Sequence, residues 1–258
     1  MTTRATLIPI NDYTTLIDDA GESTAYLIRG QDRAVLIDTL NGAENLADIV
    51  ATLTDRPVMV VNTHGHVDHI GCNHFFPEAW MHRADYDIYL QHFNFVRQGL
   101  REGGAAFVPT GDECKIHFIE PGTVLDLGGI TLEVVAIPGH TPGSIALLDR
   151  AARLLYTGDA INGQIWMQLD HSTKLATYLD SLNALEPLRD AFDGMYGGHV
   201  RAAVPTPASY IETMKKGVTE ILNGDTAGDD DWPWFQGMAR RHLLGPDSWI
   251  LYTPDKAD

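Results

Sequence analysis

Cysteine is nearly absent: the chain of 258 residues has 2, Cys72 and Cys114. Two thiols cannot frame a disulfide scaffold or supply the thiolate cluster of a structural zinc site, so a metal here would depend on histidine and carboxylate. Positive charge is scarce too. Asp and Glu number 35 against 18 Lys and Arg, a net charge of −17, which repels the phosphate backbone that nucleic-acid binders must neutralise. That argues against a nucleic-acid partner. No run approaches the ~20 apolar residues of a membrane span, and the first dozen residues hold no apolar stretch long enough for a signal peptide. The expectation is a cytoplasmic protein with no membrane partner. Linker-like stretches, fixed-period repeats and low-complexity blocks are also missing. With roughly 100 to 200 residues per domain, residues 1–258 read as a single domain. No serine sits in a Gly-X-Ser-X-Gly elbow and neither cysteine has a base partner at motif spacing, so covalent nucleophilic catalysis has no support.

What is present is a composition 44% hydrophobic, enough to bury a substantial core. Ser23–Arg29, Ala34–Asp38 and Val58–Asn62 are compact apolar runs that predict strands. Between the last two, Leu46, Ile49, Val50 and Leu53 fall at i, i+3, i+4, i+7 and predict a helix over 43–54. Ala84 to Leu100 predicts a helix with Tyr89, Phe93 and Val96 on its apolar face, followed by a glycine-containing loop to Lys115. The segment at about 84–116 reads as a helical insertion. Val124–Ala136 around Gly128-Gly129 predicts a hairpin. Strands follow over 144–149 and 154–157, with a helix over 175–188. Thr206-Pro207 predicts a helix start, with Asn223-Gly224 closing the helix. A tail at about 225–258 begins acidic and ends in a strand at 249–252. Two halves of strands and helices suggest two sheets packed face to face under outer helices.

The distribution of the 11 histidines carries the most information. His64-X-His66-X-Asp68-His69 sets three imidazoles and a carboxylate on a loop at a strand's carboxyl end, where open α/β sheets place ligands. Imidazole and carboxylate are what zinc takes when thiolate is lacking. His140 in Pro138-Gly-His-Thr-Pro-Gly143, Asp159 after Tyr156-Thr-Gly, and His199 after Tyr196-Gly-Gly share that setting. Seven groups suffice for two ions: His64, His66 and His140 for one, Asp68, His69 and His199 for the other, with Asp159 as the bridging carboxylate. Alone, His140 or His199 would more often be an ordinary hydrogen-bonded histidine and Asp159 a turn residue; their joint order argues otherwise. His74, His82, His92, His117, His171 and His242 belong to no ligand-spaced set and read as ordinary. Cys72 reads as a packing thiol, Cys114 carries no signal, and Asp229–Asp231 reads as solvated surface.

Over roughly residues 20 to 205 the chain resembles the metallo-β-lactamase superfamily. His64-Gly-His-Val-Asp-His69 with Gly71 is similar to that family's most specific motif, and Pro138–Gly143, Gly158-Asp159 and Gly198-His199 match its later motifs in order. The resemblance implies an α/β fold, a four-layer αβ/βα sandwich of two mixed sheets with helices outside. It further implies a hydrolase in which a dinuclear zinc-bound hydroxide cleaves an ester, thioester, lactone or related carbonyl compound. Two Zn2+ per chain are expected, with Fe or Mn as alternatives, and a small molecule as substrate. Asp68 would position the hydroxide and shuttle a proton. Asp38, ending an early strand, would be an outer carboxylate that orients a ligating histidine. The motif loop resembles that of glyoxalase II, although Val200-Arg-Ala replaces a segment frequent there, and acyl-homoserine lactonases share the carboxylate at Asp159. A β-lactamase, a mononuclear iron persulfide dioxygenase and a non-catalytic metal-binding module are the alternatives. A monomer and a homo-oligomer are both compatible with the sequence.

Overall fold

The computed structural model describes residues 4–42, 44–104, 108–111, 113–200 and 202–257. They form two compact units, Met1–Val134 with Gly198–Val204, and Val135–Gly197 with Pro205–Asp258.

The first unit is built on a seven-stranded sheet in sequential order. Its strands are β1 (Thr6–Pro9), β2 (Thr14–Asp18), β3 (Thr24–Arg29), β4 (Ala34–Ile37), β5 (Val58–Val61), β6 (Glu78–Met81) and β7 (Lys115–Phe118). The first four form an antiparallel meander. From β4 to β7 the pairing is parallel, so each connection must cross over. The crossovers contain α1 (Leu46–Ala51), α2 (Val67–Ile70) and α3 (Tyr86–Glu102). Every residue of β2 and β4 is buried, as expected of a sheet covered on both faces. Asn45 caps α1 by accepting from the Ala47 and Asp48 amides, and Leu46, Ile49 and Val50 bury its inner stripe.

The hairpin of β8 (Val124–Asp126) and β9 (Thr131–Ala136) forms as the sequence predicts. Gly128 and Gly129 have φ of +82° and +81°, the left-handed pair that a two-residue turn demands. The loop between Arg101 and Lys115 lies partly outside the described residues, which omit 105–107 and 112, and Arg101 and Glu102 belong to α3.

The second unit pairs β10 (Ile145–Asp149) antiparallel with β11 (Leu154–Gly158). β11 runs parallel to β13 (Gly194–Gly197). A further sheet has the order β12-β17-β16-β15, from β12 (Gln164–Trp166), β15 (Asp230–Trp234), β16 (Gly237–Gly245) and β17 (Ser248–Tyr252). Helices α4 (Leu175–Ala184), α5 (Tyr210–Leu222) and α6 (Pro254–Ala257) complete the unit. On α5, Ile211, Met214, Val218 and Ile221 form the buried stripe and join Tyr178, Leu182, Met195 and Ile250 in the core.

Three expectations change. Thr206-Pro207 does not open a helix: it is the short strand β14, antiparallel to β13, and α5 starts at Tyr210. The helix predicted over 175–188 ends at Ala184 and gives way to a 3-10 turn, Glu186–Ala191, because Pro187 lacks the amide an α-helix needs and restrains the residue before it. The tail holds two strands, β15 and β16, ahead of the expected one. The mixed α/β class stands. Among the described residues no helix is long and apolar enough to cross a membrane.

Candidate metal centre

In the first unit, β5 runs out into Asn62 and Thr63, and the histidine motif follows as the loop into α2. Asp38 lies just past the end of β4 and is 1% exposed. It adopts φ +60°, a left-handed conformation that Asp and Asn tolerate better than most residues. Its carboxylate accepts from the Thr63 amide at 2.7 Å, the Thr63 hydroxyl at 2.8 Å and His69 Nδ1 at 2.8 Å. A buried amide lattice fixes the other side of the loop. Asn62 Nδ2 donates to the His69 carbonyl at 2.8 Å, Asn73 Nδ2 to Asn62 Oδ1 at 2.9 Å, and Thr39 Oγ1 to Asn73 Oδ1 at 2.7 Å. The Gly65 amide donates to buried Asp85 at 2.8 Å, and the Val67 amide to His92 Nδ1 at 3.1 Å. Gly71 is required by close approach: a Cβ there would lie 2.3 Å from the Asn41 carbonyl carbon.

These restraints gather the motif. The His64 ring lies 4.7 Å from that of His66 and 4.1 Å from that of His69. His199, contributed by the 198–204 segment of the same unit, stands 5.6 Å from His69 by ring centroids. Asp68 Oδ2 is 3.5 Å from His69 Nε2 and 3.3 Å from His199 Nε2. One ligand atom from each of Asp68, His69 and His199 falls within 4.8 Å of the others. Five of the seven predicted residues thus share this unit.

The other two belong to the second unit. His140 sits in the loop before β10 and Asp159 directly after β11, with Nε2 and Oδ2 3.7 Å apart. Gly139 packs against Tyr178, which a Cβ would approach to 2.2 Å, and Tyr178 donates its hydroxyl to the Ala160 carbonyl at 2.5 Å. Helix α4 therefore backs both ligand loops. Burial pushes the Tyr178 hydroxyl well above its usual range, so it remains a neutral donor.

The hydrogen bonds also orient the imidazoles. His69 Nδ1 faces a carboxylate, His140 Nδ1 the Trp166 carbonyl at 2.8 Å, and His199 Nδ1 the Glu22 carbonyl at 2.6 Å. These partners can only accept, so each Nδ1 carries the proton. His64 Nδ1 lies 3.0 Å from Thr63 Oγ1, whose own proton goes to Asp38, and the same assignment follows. In all four rings Nε2 is the nitrogen turned away from these acceptors, the orientation found in metal-ligating histidines held by outer hydrogen bonds. A nitrogen and oxygen donor set of this kind suits a divalent metal such as zinc.

The sequence reading found Asp38 by resemblance but missed Asp85, His92, Asn62 and Asn73. His92, read as ordinary, accepts from the motif backbone at Val67, and its ring lies tilted 4.8 Å from that of His66. The carbonyls of Glu22 and Trp166 are backbone atoms and leave no mark in sequence. Tyr89 and Phe93 are buried in packing with Ile70 and Met81.

A model of the Metallo-beta-lactamase superfamily matches residues 18–199. An acyl-coenzyme A thioesterase of Homo sapiens, MBLAC2, is 26% identical over 197 residues, covering 67% of this chain and 70% of its own. A hydroxyacylglutathione hydrolase of Haemophilus influenzae, GloC, is 29% identical over 139 residues, with 51% of this chain and 62% of the relative covered. Among solved structures, a metallo-beta-lactamase family protein from Thermus thermophilus superposes with a TM-score of 0.58 at 20% identity, covering 88% of this chain and 83% of that one.

Proposed function

The chain belongs to the metallo-β-lactamase superfamily and is a hydrolase; from that premise we propose that it uses two zinc ions to hydrolyse a small carbonyl ester, foremost a thioester. His64, His66 and His140 would hold one ion, Asp68, His69 and His199 the other, and Asp159 would bridge them. The observation that carries this reading is a shared orientation: four histidines each turn Nδ1 to an outer acceptor, which presents Nε2 as the nitrogen for a metal. Two relatives named for hydrolysing acyl compounds support the substrate class.

When bound, zinc supplies a Lewis acid and brings the pKa of its water from 15.7 to about 7. The chain's own residues do the rest. Asp68 keeps a partly exposed carboxylate between His69 and His199, placed to orient a water and to carry its proton to the leaving thiol. Asp38 accepts from His69 and Thr63 together, so one buried charge sets the angle of an imidazole and the path of the loop. The Glu22 and Trp166 carbonyls do the same for His199 and His140.

Metal analysis of freshly purified protein, then turnover on acyl-coenzyme A, acylglutathione, lactone, aryl ester and β-lactam substrates, tests the reading. The expected result is about two zinc ions per chain and thioester cleavage abolished by chelation. A single iron with oxygen uptake on persulfide would replace it with the dioxygenase reading. Cleavage confined to β-lactams would make it a β-lactamase. Full metal with no turnover on any substrate would leave a metal-binding module.

A further inference from the structure

Buried lysines are rare because the ammonium must replace its water with fixed acceptors. Lys256 on α6 is 7% exposed. Its Nζ donates to the Ser172 carbonyl at 2.7 Å and to the Asp170 carbonyl at 3.1 Å. The tie is reciprocal, since Lys174 Nζ donates to the Asp255 carbonyl on α6. Two lysines thus clasp the 170–174 segment to the last helical turn of the second unit.

That segment continues to His140. Ser172 offers its carbonyl to Lys256 and donates its hydroxyl to the His140 carbonyl at 2.8 Å. The same hydroxyl oxygen lies 3.5 Å from the Trp166 carbonyl, the group that accepts from His140 Nδ1. Next to it, the Thr173 amide donates to the Gly139 carbonyl at 2.9 Å. Residues 172 and 173 therefore hold consecutive backbone carbonyls of the His140 loop. All of these residues belong to one compact unit.

We propose that Lys256 is a positioning residue for His140. Its ammonium fixes the Asp170–Ser172 backbone, and through Ser172 and Thr173 that backbone sets the direction of the His140 imidazole. The proposal rests on the reading of His140 as a metal ligand. A buried ammonium bonded to two carbonyls does more than fill space: methionine would match its length and burial but leave both carbonyls without their donor.

The test compares full-length wild type with Lys256→Met, Lys256→Arg, Ser172→Ala and His140→Ala. Each metal-free chain is titrated with Co2+, following the ligand-field spectrum and affinity, and thermal midpoints are recorded with and without metal. Lys256→Met should weaken Co2+ binding about 10- to 100-fold, as outer-shell changes do, and shift the spectrum, with kcat falling more than KM changes. Lys256→Arg, which keeps a cation with several donors, should restore most of the affinity. Ser172→Ala should move affinity in the same direction by less, and it decides the matter if the methionine variant does not fold. Wild-type affinity and spectrum in Lys256→Met or in Ser172→Ala, beside a damaged His140→Ala, would overturn the positioning role. Wild-type binding in His140→Ala would instead overturn the ligand reading, and this proposal with it.

Discussion

Asp38 shows how much one residue decides. It accepts three hydrogen bonds at a backbone angle of +60°, so substitutions separate its charge from its conformation. Asn tolerates the left-handed backbone but brings an amide where acceptors are needed. Asp38→Asn should lose metal first from the Asp68, His69, His199 set and cut turnover about 10- to 100-fold. Its thermal midpoint should reflect a loss of about 1–3 kcal/mol. Retention of full metal and rate would remove Asp38 from the machinery. The thiols predict the opposite behaviour. Burial pushes both Cys72 and Cys114 up to about 12, so at pH 8 both stay in the unreactive thiol form. Native protein should not react with a disulfide reagent over an hour, and denatured protein should react at both positions. At this scale the seven candidate ligands were legible because ligand types recur at strand ends. Of what orients them, Asp38 was legible by resemblance and the rest was not: two of the acceptors are backbone carbonyls, of Glu22 and Trp166, and no residue type announces a carbonyl.

Proline misled the reading of one element. Thr206-Pro207 looks like a helix start yet is the strand β14, and Pro233 likewise lies within a strand, β15. β15 ends its sheet, and β14 is paired with β13 over two residues, so in each a missing amide costs little. In the Asp229–Asp231 run Asp230 and Asp231 are exposed, as read, but the Asp229 side chain is buried. Asp229 accepts from His242 Nδ1 at 2.8 Å and from the Tyr252 hydroxyl at 2.7 Å. Those partners lie on β16 and β17, and such non-local pairing leaves no mark in the run itself. Helix α3 was legible because Tyr89, Phe93 and Val96 repeat at helical spacing. Glycine gives this scale its test. Gly71→Ala would drive a Cβ to 2.3 Å from backbone that cannot yield, costing about 1–3 kcal/mol and disturbing the motif loop. Gly99→Ala, within α3 with nothing inside 4 Å of the new Cβ, should stabilise by up to about 1 kcal/mol. Thermal midpoints should move in opposite directions; a neutral Gly71→Ala would show that the loop is not closely packed there.

For the whole molecule, class and family were legible because motif order survives where overall identity is low. The two compact units were not, since one boundary falls at Val134, inside β9 (Thr131–Ala136), where no linker composition marks it. Net charge was legible outright and has a kinetic consequence. At −17 the chain repels an anionic substrate such as acyl-coenzyme A over distances set by the Debye length, about 30 Å at 0.01 M salt and about 10 Å at 0.1 M. Raising salt across that range should therefore lower KM for the anionic thioester, because screening removes repulsion during encounter. A neutral aryl ester feels no such field, and its KM should stay level. Measuring both substrates on one preparation separates screening from any general effect of salt on the enzyme. If KM for the anionic thioester rose instead, a local positive field at the site would outweigh the net charge of the molecule for this substrate.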